Sequence, residues 1–176
     1  PEGVTEISDY AFELCSSLDG ELTIPEGVTR IGEYAFSSCA SLTGELKIPE
    51  SVTHIEDNAF MGCSGFTDEL RIPSNVTDIG YYAFDGCSGF TGDLVIPENV
   101  ANIYAYAFSG CNGLSGLQFV SPATNVGYYA FSYCSDLSNV EIAEGMTRIP
   151  QGMFYCCNNL SSIEIPAGLM HIDAYA

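Results

Sequence analysis

Cysteine is the residue with the most chemistry to offer in this chain, which holds eight of them. Seven, Cys15, Cys39, Cys63, Cys87, Cys111, Cys134 and Cys157, each stand three residues after the Phe of a recurring pair. That pair is Ala11-Phe12, Ala35-Phe36, Ala59-Phe60, Ala83-Phe84, Ala107-Phe108, Ala130-Phe131 and finally Met153-Phe154. Eight cysteines would invite a disulfide framework in a chain that was exported. The spacing argues against it. A Cys that returns to one place in every copy of an apolar pattern is expected to point inward as a small apolar residue, its weak thiol donor meeting turn carbonyls. Stacked copies would bring sulfurs near one another, yet a disulfide needs a specific Cβ geometry that a regular ladder does not supply. The seven column cysteines are therefore expected to be reduced and buried. Cys156 falls in a different column, with Leu14, Ser38, Gly62, Gly86, Gly110 and Tyr133, and is expected outside the core, either exposed and reactive or merely tolerated.

No catalytic set emerges from the remaining residue types. The two histidines, His54 and His171, share a column with Arg30, Asp78, Asn102, Asn125 and Arg148 that changes character in nearly every copy. Such variation marks a solvated position, not a nucleophile and base pair or a set of metal ligands. Cys-x-x-Cys, a phosphate loop and a dinucleotide fingerprint are absent from the sequence. The chain is read as a non-enzyme without cofactor or metal.

Two surface rows carry more information. Before the first core Leu of the first four strands stand Glu21, Glu45, Glu69 and Asp93, followed in the later copies by Gly116, Asn139 and Ser162, with Lys47 and Arg71 in the next outward position. Stacked strands would set these four carboxylates in a row. The row reads as charge compensation across strands, as an acidic strip for a basic partner, or, least of the three, as a calcium site lacking any loop signature. The second row is aromatic: Tyr10, Tyr34, Tyr82, Tyr106, Tyr129 and Tyr175 share the column before the Ala, interrupted by Asn58 and Gly152. Tyr81, Tyr104, Tyr128, Tyr133 and Tyr155 thicken it in the later copies. Such rings either cover the apolar stripe beneath them with hydroxyls left wet, or form a recognition surface. The candidate ligand-binding residues are Tyr81, Tyr82, Tyr104, Tyr106, Tyr128 and Tyr129, six rings in three adjacent copies, with Glu21, Glu45, Glu69 and Asp93 as the second candidate set.

What positions these rows is a repeat. The Phe spacing is 24 four times and then 23 twice, and a period of this size signals a solenoid. Eight columns stay apolar or small, in one copy Leu18, Leu22, Ile24, Val28, Ile31, Ala35, Phe36 and Cys39. Leu22-Thr23-Ile24 alternates as a half-buried strand that Pro25 stops. A second short extended piece turns Val28 and Ile31 inward, and the spacing of Ala35, Phe36, Cys39 and Leu42 predicts a single helical or 3-10 turn. One coil cannot enclose its own apolar face, so coils must stack at about 4.8 Å, the strand spacing. One parallel ladder through Leu22-Thr23-Ile24 and its six equivalents is expected. The corner column Gly27, Ser51, Asn75, Asn99, Pro122, Gly145 and Gly168 holds residues that tolerate turns or positive φ. At Val120-Ser121-Pro122-Ala123 the corner is rewritten where the register drops to 23, which predicts a local bend or change of twist.

The charge balance, 23 Asp and Glu against 4 Lys and Arg for a net charge of −19, disfavours nucleic acid and anionic membranes as partners. It suits a self-repelling particle or a basic partner. No apolar run approaches the roughly 18 residues that span a bilayer. Asn75-Val76-Thr77 and Asn159-Leu160-Ser161 match the N-glycosylation pattern, which matters only in a secreted eukaryotic protein, and the corner already accounts for Asn75. Because the chain opens at Pro1-Glu2-Gly3-Val4 and closes at His171-Ile172-Asp173-Ala174-Tyr175-Ala176, each inside a copy, it is expected to be a single array within a longer protein.

Written as Ile-Pro-x-x-Val-Thr-x-Ile-Gly-x-x-Ala-Phe-x-x-Cys-x-x-Leu, the repeat closely resembles the BspA-like leucine-rich repeats of bacterial surface proteins, and the resemblance runs from Val4 to Ala176. It implies a right-handed leucine-rich-repeat solenoid of about seven coils, exported and displayed at the cell surface. It also implies adhesion to proteins of a host or neighbouring cell, with a glycan as the lesser reading. The first four spacings of 24 depart from the commoner 23. Fold carries over from such a resemblance, and a named ligand does not. The leading functional expectation is a protein-binding adhesion module, and the alternative is a passive spacer that holds another domain away from the cell.

Overall fold

The computed structural model describes residues 3–122 and 125–176. Its coils stack into a solenoid with two kinds of parallel ladder. The continuous one is not the one expected. Two-residue strands Glu6–Ile7, Arg30–Ile31, His54–Ile55, Asp78–Ile79, Asn102–Ile103 and Asn125–Val126 pair in register into a six-stranded sheet. Each sends its first residue outward, while Ile7, Ile31, Ile55, Ile79 and Ile103 are buried. Arg148–Ile149 and His171–Ile172 continue the same column as a separate pair.

The longer strands, through the Leu22 column, form a broken ladder. Gly20–Thr23 pairs with Leu42–Lys47, and Gly92–Ile96, Leu114–Phe119 and Asn139–Glu141 form a three-stranded sheet. Between them the third copy makes only isolated bridges, Gly44 to Phe66 and Glu69 to Thr91, although Leu70 and Ile72 stay buried. The break has a local cause. Coils of 24 residues carry one more residue between the Leu42 and Leu46 columns than later coils carry between Leu114 and Leu117. Where that extra segment holds Gly20, Gly44 or Gly92, φ is 83°, 77° and 74°, a left-handed bulge that only glycine adopts cheaply. The third coil has Asp68 there, without positive φ. The drop from 24 to 23 thus lies at Ser115-Gly116, where a residue is lost from the bulge, and the Val120 corner keeps its length. Ala123 of that corner lies outside the described residues.

The Ala-Phe segment is a run of turns, and among the described residues there is no helical or 3-10 element. Ala35 N–H donates to Gly32 O, Ser37 N–H to Tyr34 O and Cys39 N–H to Phe36 O at 3.1–3.2 Å, closing successive turns within the coil. The amides between them point the other way. Tyr34, Phe36 and Ser38 donate to Asp57 O, Ala59 O and Met61 O of the next coil at 3.0, 2.8 and 2.6 Å. A helix would aim every amide back along its own chain. Sending alternate amides sideways requires left-handed backbone at two positions per coil, Tyr34 (φ 53°) and Ser38 (φ 62°) in this one. The same pair of columns has positive φ throughout: Tyr10, Asn58, Tyr82, Tyr106, Tyr129, Gly152 and Tyr175 in the first, and Leu14, Gly62, Gly86, Gly110, Tyr133 and Cys156 in the second. Asn58 and Gly152 therefore interrupt the tyrosine row with residue types that accept left-handed backbone readily.

The core is a set of one-residue columns. Phe12, Phe36, Phe60, Phe84, Phe108 and Phe131 stack ring on ring with centroids 5.1–5.4 Å apart and planes within 8°. The stack loosens to 6.4 Å and 28° at Phe154. The corner column is only partly a matter of φ, which is positive at Gly3, Gly145 and Gly168 but not at Gly27, Ser51, Asn75 or Asn99. Ser51, Asn75 and Asn99 instead donate a side-chain hydrogen bond to Glu26 O, Glu50 O and Ser74 O of the preceding coil, at 2.7, 2.7 and 2.9 Å.

Candidate functional site

Six of the eight thiols are buried, and each closes a gap in the backbone. The Sγ of Cys39, Cys63, Cys87, Cys111, Cys134 and Cys157 lies 3.0–3.3 Å from the carbonyl oxygen of Phe12, Phe36, Phe60, Phe84, Phe108 and Phe131, the Phe of the coil before. Burial pushes the Cys63 thiol up to about 12 and raises Cys87 well above its ordinary value. Cys63 and Cys87 are thus structural donors held in the neutral form, the opposite of a nucleophile's environment, whereas a hydrogen bond with the Cys134 thiol lowers the pKa of Cys157. Cys15 departs from the expected burial and is exposed. Cys156 is exposed as well, its φ of 61° marking the left-handed column where three copies carry Gly. All eight are free thiols.

The six candidate tyrosines fall into groups. Tyr82, Tyr106 and Tyr129 stack at 4.8 and 5.3 Å with planes within 4°. The line continues through edge-to-face contacts from Tyr129 to Tyr155, and from Tyr155 to Tyr133 and Tyr175. Mutual stacking consumes the faces of the first three, which present edges and hydroxyls. Burial, next to the phenols of Tyr82 and Tyr129, raises the pKa of Tyr106. Tyr81 and Tyr104 form a separate pair at 4.8 Å, tilted by 40°, and Tyr128 stands exposed beside Arg148. Among the described residues no ring contact joins the first group to the pair.

The carboxylate row is not a straight file. The glycine bulges set Glu21 opposite Thr43 and Glu69 opposite Thr91, while Asp93 keeps the register of its column opposite Gly116. Glu45 lies 3.4 Å from Lys47 and Glu69 3.6 Å from Arg71, while Asp93 accepts a hydrogen bond from Ser115. No group of three or more His, Cys, Asp or Glu placed to hold a metal ion occurs among the described residues.

One row was undervalued from sequence alone. The variable column Glu6, Arg30, His54, Asp78, Asn102 and Asn125 is the outward face of the continuous sheet, and its members are linked. Arg30 contacts Asp9 at 2.8 Å and Glu56 at 3.0 Å, so it ties three coils together and holds the Asp9 carboxyl below its usual range. His54 Nε2 lies 3.5 Å from Asp78 Oδ2, and Asp78 accepts from Thr77 at 2.6 Å and Asn102 at 2.7 Å. Column variation is what a chain of different side-chain partners requires. Beside this row an open groove of about 440 Å³ is lined by His54, Glu56, Asp57, Asp78, Tyr81 and Tyr104. Gly80 opens it, because that position carries a side chain in the coils on either side, Glu56 and Tyr104. A Cβ there would come within 2.6 Å of the Asp57 backbone nitrogen.

Seven coils, single-residue columns and a parallel ladder define a leucine-rich-repeat solenoid. The chain belongs to the BspA-type leucine-rich repeat family, whose repeat region matches residues 1–91 and 89–176 with six copies. It is similar to a leucine-rich cell surface protein of Faecalibacterium prausnitzii, with 29% identity and a TM-score of 0.54 over 98% of this chain and 60% of that one. A leucine-rich repeat protein of Bacteroides ovatus gives 28% and 0.65 over 98% of this chain and 38% of that one. A T. pallidum leucine-rich repeat protein gives 25% and 0.76 over 91% and 74%. The chain thus spans less than two thirds of the length of each of the first two. No curated protein matches significantly.

Two outcomes follow from the thiol ladder. In the native protein a thiol reagent should titrate two groups rapidly, Cys15 and Cys156, and the other six only on unfolding; rapid labelling of Cys63, Cys87 or Cys111 would contradict the burial. Stability should also fall in alkali. The folded pKa of Cys63 is about 12 against an ordinary 9.0, so the thiol contribution is intact below pH 9 and is lost between 9 and 12, as the unfolded chain releases protons that the folded one retains. Melting temperature measured across that window should decline less steeply after Cys63→Ala. An unchanged slope would show that the decline has another source.

Proposed function

We propose that the chain is a recognition module of a cell-surface protein, with a protein as its partner, bound through the edge formed by Tyr82, Tyr106, Tyr129, Tyr133, Tyr155 and Tyr175. The observation that carries this reading is the unbroken contact line of six phenols. Tyr133 and Tyr175 are 50% and 70% exposed. Tyr supplies large amphipathic contact area at small entropic cost, which is why interfaces enrich it. Surface display rests on the family and on the F. prausnitzii relative described as a cell surface protein. The candidates Tyr81, Tyr104 and Tyr128 lie outside this edge.

The test uses Tyr82→Asn, Tyr106→Asn and Tyr129→Asn together, because the same column already accommodates Asn58 at φ 57°. Stacking of aromatic pairs contributes about 0.5–1.5 kcal/mol each, so a modest fall in melting temperature is expected. Hot-spot truncations cost roughly 2 kcal/mol or more apiece, so adhesion of chain-coated beads to immobilised extracellular-matrix proteins should weaken at least tenfold. A sharp loss of stability with undiminished adhesion per folded molecule would assign the rings to the core. No adhesion by the unaltered chain to any matrix protein would leave the spacer reading in its place.

A further inference from the structure

We infer that the groove at Gly80 receives an arginine side chain of the protein partner, a reading that rests on the recognition role proposed above and adds a second contact to it. The groove joins three features a guanidinium requires. Two rings converge on it, and the 40° tilt between Tyr81 and Tyr104 at 4.8 Å leaves their faces less mutually covered than those of Tyr82 and Tyr106, which lie within 1° of parallel. A cation is attracted to an aromatic face within about 6 Å of its centroid. Carboxylates stand beside the rings: Asp57, whose Oδ1 accepts the Tyr81 amide at 2.8 Å, and Asp78, oriented by Thr77 and Asn102. Both are therefore fixed before a ligand arrives. Planar donors matched to oriented carboxylates and stacked on rings are the interaction arginine makes and lysine does not.

The chain has no cation of its own to spare for this place. Its four Lys and Arg are committed elsewhere: Arg30 to Asp9 and Glu56, Lys47 to Glu45, Arg71 to Glu69 and Arg148 to Asp173. Glu56 is the one groove carboxylate that Arg30 neutralises, which leaves Asp57 and Asp78 as the uncompensated charges, with His54 facing the latter. The rings are not needed to fill the core, since Tyr81 and Tyr104 are 45% and 38% exposed.

The probe is the blocked peptide acetyl-Gly-Ser-Arg-Ser-Gly-amide, titrated into the isotope-labelled chain at about 0.15 M salt, where long-range attraction to the acidic surface is screened. Its isosteric citrulline analogue, which lacks the charge, is the control. Amide shifts are expected at His54, Asp78, Gly80, Tyr81 and Tyr104, with binding at least tenfold weaker for the citrulline peptide. The double variant Tyr81→Ala, Tyr104→Ser should bind at least tenfold more weakly too. Its fold is safeguarded because Ala105 and Ser8 occupy the same two columns in other coils. Asp78→Asn keeps the shape and should weaken binding as well. Shifts spread over the acidic faces, equal binding of the citrulline peptide, or unchanged binding by the double variant would each overturn the inference. None of these substitutions touches Tyr82, Tyr106 or Tyr129. Failure here with adhesion still dependent on those rings would refute only the groove. Arginine binding here with adhesion indifferent to them would refute only the ring edge.

Discussion

Every coil must satisfy its backbone amides against a neighbour, and the whole molecule follows from how it does so. Alternate amides of the Ala-Phe segment close turns inside the coil, and those between them reach carbonyls of the next coil. That division needs left-handed backbone twice per coil, at a cost of roughly 1–2 kcal/mol for each residue other than glycine. The cost recurs at tyrosines in six of the eight copies. What offsets it is local: a sideways hydrogen bond at every such position from Tyr10 to Gly152, with ring stacking along much of the tyrosine column.

The rest of the architecture inherits this spacing. Once the turn is fixed, the Phe rings fall into a stack and the Cys thiol meets the carbonyl of the preceding Phe. A serine would place a stronger but more strongly hydrated donor there, whereas a thiol satisfies the carbonyl while remaining apolar. Energetics of this kind are nearest-neighbour. A neighbour on each side encloses Phe36 and Cys63 fully, while Phe12 and Cys15 are exposed.

The repeat, its apolar columns and the inward thiols were legible in the sequence because burial constrains residue type at fixed spacing. The turn was not. Ala35, Phe36, Cys39 and Leu42 have helical spacing, but so does a chain of tight turns, and periodicity alone does not separate them. The signal that could have done so was the second left-handed column, where Gly62, Gly86 and Gly110 stand among Leu14, Ser38, Tyr133 and Cys156. Three glycines in the middle of a supposed helical turn argue against a helix. The carboxylate row looked straight because column alignment sets Glu21, Glu45 and Glu69 in file, and the left-handed bulges at Gly44 and Gly92 shift the pairing without changing that alignment. The Arg30-to-Asn125 row looked merely solvated because residue types that change from copy to copy also mark solvent, and the pairing of His54 with Asp78 and of Asp78 with Asn102 emerges only once the coils are stacked.

Function in this fold resides in what the columns leave outside. The stacked tyrosine edge and the Gly80 groove both exist because backbone conformation fixes the flanking side chains. Gly86→Ala tests that conformation most directly. Gly86 has φ 71°, and an added Cβ would meet nothing closer than Gly62 Cα at 3.8 Å, so sterics with neighbours play no part. In left-handed backbone the substitution should destabilise the chain by about 1 kcal/mol in denaturant unfolding. If the segment were instead helical, alanine would stabilise it by about 0.8–1 kcal/mol, and that result would contradict the account.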